Sequence, residues 1–84
     1  LIQTPKLIIF DEPTRGVDVG AIVEIHQLIS DLADQGMAVV VISSYLPEIM
    51  AVSDRILVAK RGRIVEELLI SDATEERVMF AAVH

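Results

Sequence analysis

Several residue types are scarce or missing in this chain of 84 residues. It has no cysteine, which excludes disulfides, thiolate metal sites and cysteine nucleophiles and fits a reducing compartment. Tryptophan is absent and aromatic residues make up only 4%, so the core must be aliphatic. There are seven Lys and Arg against 13 Asp and Glu, and the net charge of −6 argues against nucleic-acid binding. The longest apolar run, Met37 to Ile42, is far too short to cross a bilayer, so association with a membrane would require a partner.

The chain does contain apolar, strand-like runs that alternate with helical stretches. This pattern predicts an α/β fold with the element order β-α-β-α-β-β-α. Pro5 and Lys6 lead into the first strand. The predicted strands cover residues 7–10, 38–43, 55–60 and 63–68, and the predicted helices cover 19–35, 46–52 and 74–83. A long helix joins the first two strands, so we expect these strands to be parallel. Their apolar sequences indicate that both are buried. Gly62 favours a hairpin turn between the last two strands.

The first predicted helix has the clearest periodicity. Its apolar positions recur at steps of three and four residues, at Ile22, Ile25, Ile29 and Leu32. This spacing places them on one face of an α-helix. Asp18 suits the N-cap of this helix, and Gly36 suits the position just beyond its end.

The most informative segment is the end of the first predicted strand. Four apolar residues, Leu7 to Phe10, run directly into Asp11 and Glu12, and Pro13 then stops any regular continuation. Open α/β sheets bind their ligands at the carboxyl ends of parallel strands. Adjacent residues of a strand point to opposite faces, so one carboxylate can lie near a cation while the other acts on a water molecule. The segment therefore indicates a ligand site at which the two carboxylates have different roles.

Asp11 to Thr14, followed by Arg15 to Asp18, resembles the Walker B motif, catalytic glutamate and D-loop of an ABC transporter ATPase. The sequence from Arg15 to Ala21 resembles the variant found in the second cassette of bacterial monosaccharide importers of the ribose, galactose and xylose type. The likeness continues almost to the end of the chain, through residues 42–44, 46–48, 53–56 and 73–76. It implies a partial P-loop NTPase domain of the ABC type, in which two parallel core strands are followed by a hairpin.

The resemblance also implies a role for individual residues. Asp11 would hold Mg²⁺, through water, while the ion bridges the β- and γ-phosphates of ATP. Glu12 would be the catalytic residue that orients or deprotonates the attacking water, because a carboxylate only accepts hydrogen bonds. Asp18 would belong to the D-loop, which in this family crosses the dimer interface and couples two nucleotide sites.

Ser44 occupies the position at which most of this family carries a histidine that contacts the γ-phosphate. A hydroxyl can hydrogen-bond a phosphate but cannot carry charge near neutral pH as imidazole can. Sugar importers of the resembled type commonly have serine here. The substitution therefore supports the subgroup while it puts the rate of hydrolysis at this site in doubt.

The resemblance implies partners and a location as well. They are transmembrane permease subunits, the other ATPase cassette and, indirectly, a periplasmic sugar-binding protein, at the cytoplasmic face of the bacterial inner membrane. However, the chain contains neither a Gly-Lys-Ser/Thr phosphate loop nor a Leu-Ser-Gly-Gly signature. We therefore expect residues 1–84 to be one partial domain, the carboxyl-terminal part of a longer ATPase. We expect this part to be inactive alone. We also expect it to self-associate, because three helices scarcely cover both faces of its sheet.

Simpler interpretations remain open for the same residues. Asp11 could cap a turn, Asp18 could only cap the helix that follows it, and Ser44 could cap the helix that begins near Leu46. For the chain as a whole, one alternative is a regulatory or interaction module without catalysis. Another is an ABC-type ATPase with no role in transport.

Overall fold

A computed structural model describes residues 6–84, so the predicted role of Pro5 lies outside the described residues. The predicted order of strands and helices is confirmed, with an additional 3-10 turn before the last helix. The elements are β1 (Leu7–Asp11), α1 (Val19–Asp34), β2 (Ala38–Ile42), α2 (Leu46–Val52), β3 (Arg55–Lys60), β4 (Arg63–Leu69), the 3-10 turn (Ile70–Asp72) and α3 (Glu75–Val83). The chain divides into two compact units, the first ending at Tyr45 and the second spanning Leu46–His84. The assignment of all 84 residues to one partial domain stays a prediction.

The first unit contains a parallel pair of strands and one helix. β1 pairs with β2 in parallel, from Leu7 opposite Ala38 to Asp11 opposite Ile42, as the long connection predicts. The helix α1 packs against β2. Ile29, on the predicted apolar face of α1, is buried with 3% of its surface exposed. The helical spacing of the isoleucines therefore marks the side of α1 that is most covered.

The two ends of α1 are formed differently. Asp18 is the N-cap residue, but its side chain forms no capping hydrogen bond, so only its position was predicted correctly. At the other end Gly36 has a φ of 92°, the left-handed conformation that glycine adopts most readily. The Gly36 N–H donates to Ala33 and the Met37 N–H donates to Leu32, which is the Schellman arrangement.

One face of the β1–β2 sheet is exposed, so the prediction that both strands are buried was wrong for this face. Leu7 and Ile9 are 53% and 59% exposed, and Val40 and Ile42 on the neighbouring strand are about half exposed. Ile8 and Phe10, which alternate with them, are half-buried. The strand sequences are apolar on both sides, but α1 is the only helix within the described residues 6–45 of this unit that could cover the sheet.

The second unit has the larger core. β3 and β4 form an antiparallel hairpin whose ladder is irregular between Val58 and Ala59. Its turn consists of Arg61 and Gly62, with φ values of 51° and 77°; two positive φ values are the signature of a type I′ turn. The buried hydrophobic cluster consists of Ile56, Val58, Leu68 and Val78.

The helix α3 completes this second unit. It supplies Val78 to the core and begins after Thr74, whose hydroxyl accepts a hydrogen bond from the Arg77 N–H at 3.1 Å. Glu75 and Glu76 lie in its first turn, as predicted, where the helix dipole favours negative charge. Within residues 6–84 no helix is both long and apolar enough to cross a membrane.

Candidate functional site

The candidate site lies where β1 and β2 end together. Asp11 opposite Ile42 is the last pair of the parallel ladder. The next residue, Glu12, has a left-handed backbone with a φ of 49°, which is uncommon for a residue other than glycine. Its N–H donates to the Ile42 carbonyl at 2.7 Å, so the backbone of Glu12 remains attached to β2 although its conformation is no longer extended. Such unusual backbone conformations are frequent at functional sites.

The side chain of Glu12 is attached to the same segment. Its Oε1 accepts a hydrogen bond from the backbone N–H of Ser44 at 2.9 Å, across 32 positions of sequence. Ser44 has only Ser43 between it and the end of β2. The backbone N–H and the side-chain carboxylate of Glu12 are thus both hydrogen-bonded to residues at the carboxyl end of β2. Of the predicted site residues, Glu12 and Ser44 are the two that the structure brings into direct contact.

A pocket of about 290 Å³ opens beside this contact. It is lined by Glu12, Thr14, Arg15, Ile22, Ser44 and Tyr45. The lining thus combines one carboxylate, one guanidinium and three hydroxyl groups. Such a set of groups can hold an anion and its attendant water molecules, provided that a cation offsets the charge of Glu12.

Four of these residues, Thr14, Arg15, Ile22 and Tyr45, were not predicted to line the site. Arg15 is exposed. The loop that carries it turns back through hydrogen bonds from the Arg15 N–H to the Glu12 carbonyl and from the Val17 N–H to the Thr14 carbonyl. Gly16, with a φ of 74°, permits this tight turn. Thr14 is buried within the loop. Tyr45 could have been inferred from its place directly after Ser44.

Asp11 and Asp18 lie outside the pocket. Asp11 is exposed at the end of β1, on the same side of the strand as Leu7 and Ile9. Asp18 is exposed at the start of α1. Within the described range 6–84 there is no group of three or more His, Cys, Asp or Glu residues that could enclose a metal ion. A single exposed carboxylate nonetheless suits Mg²⁺, which keeps most of its water ligands and takes one or two carboxylates together with substrate phosphates.

Comparison with known proteins identifies close relatives, although no family model matches the chain. A ribose import ATP-binding protein of Rhodococcus jostii is 58% identical over 82 residues, which cover 98% of this chain. A xylose import ATP-binding protein of Geobacillus kaustophilus is 54% identical over 82 residues, again 98% of this chain. In both comparisons the chain spans only 16% of the length of the relative.

A solved structure has a similar fold. It is the ATP-binding cassette of an ABC transporter, with a TM-score of 0.71 and 24% sequence identity. The match covers 95% of this chain and 34% of the solved one. At this identity the likeness establishes the fold, so the predicted fold of an ABC ATPase domain is confirmed for the segment that the chain represents.

Proposed function

Because this chain belongs to the ATP-binding cassette family, we propose that it supplies the catalytic carboxylate of an ATPase that powers sugar import. The observation that carries the proposal is the 2.9 Å hydrogen bond between the Ser44 N–H and Glu12 Oε1. It holds a carboxylate at the carboxyl ends of two parallel strands, which is where sheets of this class bind ligands.

In the proposed reaction Glu12 acts on the water that attacks the terminal phosphate of ATP. A carboxylate has two oxygens and about four acceptor positions. Ser44 occupies one position on Oε1, which leaves Oε2 to accept a hydrogen bond from water. Since the Ser44 bond restrains the side chain, the water would be held in a defined orientation, as general-base catalysis requires.

Other groups would bind the phosphates and neutralise their charge. Asp11 is the residue that we propose for Mg²⁺, and Ser44 can offer its hydroxyl to a phosphate oxygen. When bound, the ion neutralises charge that develops during phosphoryl transfer. Asp18 lies seven positions from Asp11, at the start of α1. Its exposure leaves it accessible to a second subunit, which agrees with the proposed place of a D-loop.

The 84-residue chain alone should neither bind ATP tightly nor hydrolyse it. No Gly-Lys-Ser/Thr sequence is present to surround the β- and γ-phosphates with backbone N–H groups and a lysine. A thermal-shift titration of the isolated chain with Mg-ATP should therefore show no response at millimolar concentrations. A clear stabilisation in that range would contradict this part of the proposal.

For the whole protein we propose the partners of a sugar importer. They are membrane permease subunits, a second ATPase cassette and, indirectly, a periplasmic sugar-binding protein. The subunit would then be peripheral at the cytoplasmic face of the bacterial inner membrane. The names of the relatives, which are ribose and xylose import proteins, support this assignment.

A segment exchange tests the ATPase proposal directly. The 82 residues of the Rhodococcus jostii protein that align with this chain are replaced by the corresponding residues of this chain, giving a full-length protein that we call the chimera. We expect the chimera to hydrolyse Mg-ATP at a rate comparable with its parent. A chimera that is folded and binds ATP but has no ATPase activity would refute the proposal.

A further inference from the structure

We propose, on the basis of the ATPase function inferred above, that Ser43 is a positioning residue for Glu12. Its hydroxyl fixes the turn that presents the backbone N–H of Ser44 to the Glu12 carboxylate. The walls of the pocket do not include Ser43, so any effect of this residue on the reaction must pass through its neighbours.

The turn is formed by a single side chain. Ser43 is the first residue after β2, and its Oγ accepts a hydrogen bond from the Tyr45 N–H at 3.0 Å. A hydroxyl that accepts from the N–H two positions later closes an ST-turn, the serine counterpart of the Asx-turn. The N–H of Ser44 belongs to the peptide unit inside this turn, and it donates to Glu12 Oε1 at 2.9 Å. The two hydrogen bonds therefore share one short stretch of backbone.

The donor to Glu12 is a backbone group, and this makes the conformation of the turn decisive. No side chain at position 44 can replace the N–H, and its direction depends on the backbone dihedrals of Ser43. Glu12 itself is fixed at its backbone by the bond to the Ile42 carbonyl at 2.7 Å. Its carboxylate lies several rotatable bonds away, so the Ser44 N–H is what selects one position for it. When the turn loosens, the carboxylate loses that restraint.

The test uses three substitutions of Ser43 in the chimera. Ser43→Ala removes the acceptor, whereas Ser43→Thr keeps a hydroxyl and Ser43→Asn offers a side-chain oxygen that forms the equivalent Asx-turn. We expect Ser43→Ala to lower kcat about fivefold, the effect of losing one ordinary hydrogen bond, with KM for ATP nearly unchanged. Thr and Asn should both restore kcat. Ser30→Ala, at an exposed position of α1, is the matched control and should have no effect.

Recovery by Asn separates positioning from packing, because Asn differs from Ser in size but shares the acceptor. Wild-type kcat in Ser43→Ala would overturn the proposal, as would a loss in Ser43→Thr and Ser43→Asn as large as that in Ser43→Ala. Hydrogen exchange at the Ser44 amide gives a readout that is independent of turnover. Exchange should be faster in Ser43→Ala and unchanged in Ser43→Asn.

The exchange measurement also tests the positioning role of Ser43 independently of the proposed ATPase function. If the unmodified chimera has no ATPase activity, the function proposed above fails, while the Ser44 amide still reports on the turn. In that case faster exchange in Ser43→Ala supports the positioning role, and equal exchange in Ser43→Ala and wild type overturns it.

Discussion

Replacing Glu12 by Gln in the chimera removes a charge while it leaves the shape of the side chain almost unchanged. The Gln side-chain oxygen can still accept the Ser44 N–H that Glu12 Oε1 accepts at 2.9 Å. The amide cannot take a proton from water, however. We therefore expect retained ATP binding and a kcat lower by about 10²–10⁴-fold, the usual contribution of a general base. This range corresponds to about 2.7–5.4 kcal/mol of transition-state stabilisation.

Glu12→Asp tests the geometry instead of the charge. The shorter side chain withdraws the carboxylate by about 1.5 Å, one carbon–carbon bond. A 2.9 Å contact with the Ser44 N–H would then exceed hydrogen-bonding distance unless the backbone moves. Loss of a hydrogen bond to a charged group costs about 1.5–3 kcal/mol, which is roughly 10- to 100-fold in kcat.

Steady-state ATP hydrolysis measures both effects, and equilibrium binding of a fluorescent ATP analogue shows whether the nucleotide site is intact. A Glu12→Gln chimera that turns over at nearly the unmodified rate would refute the catalytic role of Glu12. Full activity in Glu12→Asp would leave Glu12 as a possible base but would refute the claim that its contact with Ser44 matters.

Three further predictions concern stability and association of the 84-residue chain. Leu68→Ala removes a side chain that is 3% exposed and should lower the free energy of unfolding by about 2–5 kcal/mol in a urea titration, whereas Leu69→Ala, at an exposed position, should change it by less than about 0.5 kcal/mol. Thr74→Ala should lower the free energy of unfolding by about 1 kcal/mol because the cap of α3 is lost, and Thr74→Ser should restore it; equal stability of the two variants would contradict the capping role. Ile9→Lys places a charge on the exposed face of the β1–β2 sheet and should reduce self-association in sedimentation velocity, while Val23→Lys on α1 should not; unchanged association in Ile9→Lys would show that this face is not the one that associates.

Much of the local structure was predictable from residue patterns. The helix Leu46–Val52 and the strand Arg55–Lys60 have the predicted bounds, and each of the other predicted helices and strands differs by one residue at an end. Gly36 and Gly62 both have positive φ values at the turns where they were expected. These successes share a cause, since the periodicity of apolar residues and the dihedral freedom of glycine act over a few positions of chain. The positive φ of Arg61 was not predicted, because a type I′ turn imposes it on a residue without that preference.

The sequence indicated candidate residues for the site, but it did not indicate how they are arranged. The motif from Asp11 to Asp18 indicated which residues could act, because an acidic pair at the end of an apolar strand is a local feature. Only the parallel register of β1 and β2 brings the Ser44 N–H to Glu12, across 32 positions. The tertiary structure also places Asp11 and Asp18 outside the pocket and Arg15 in its lining.

The sequence by itself determined the order of strands and helices, the family and which carboxylates are candidates for the site, because each depends on residue types at short spacing. The tertiary structure alone decided which carboxylate is held, which backbone group holds it and which sheet face stays exposed. Those outcomes depend on contacts between residues far apart in the chain, and such contacts are set by strand register and by the faces that neighbouring elements cover.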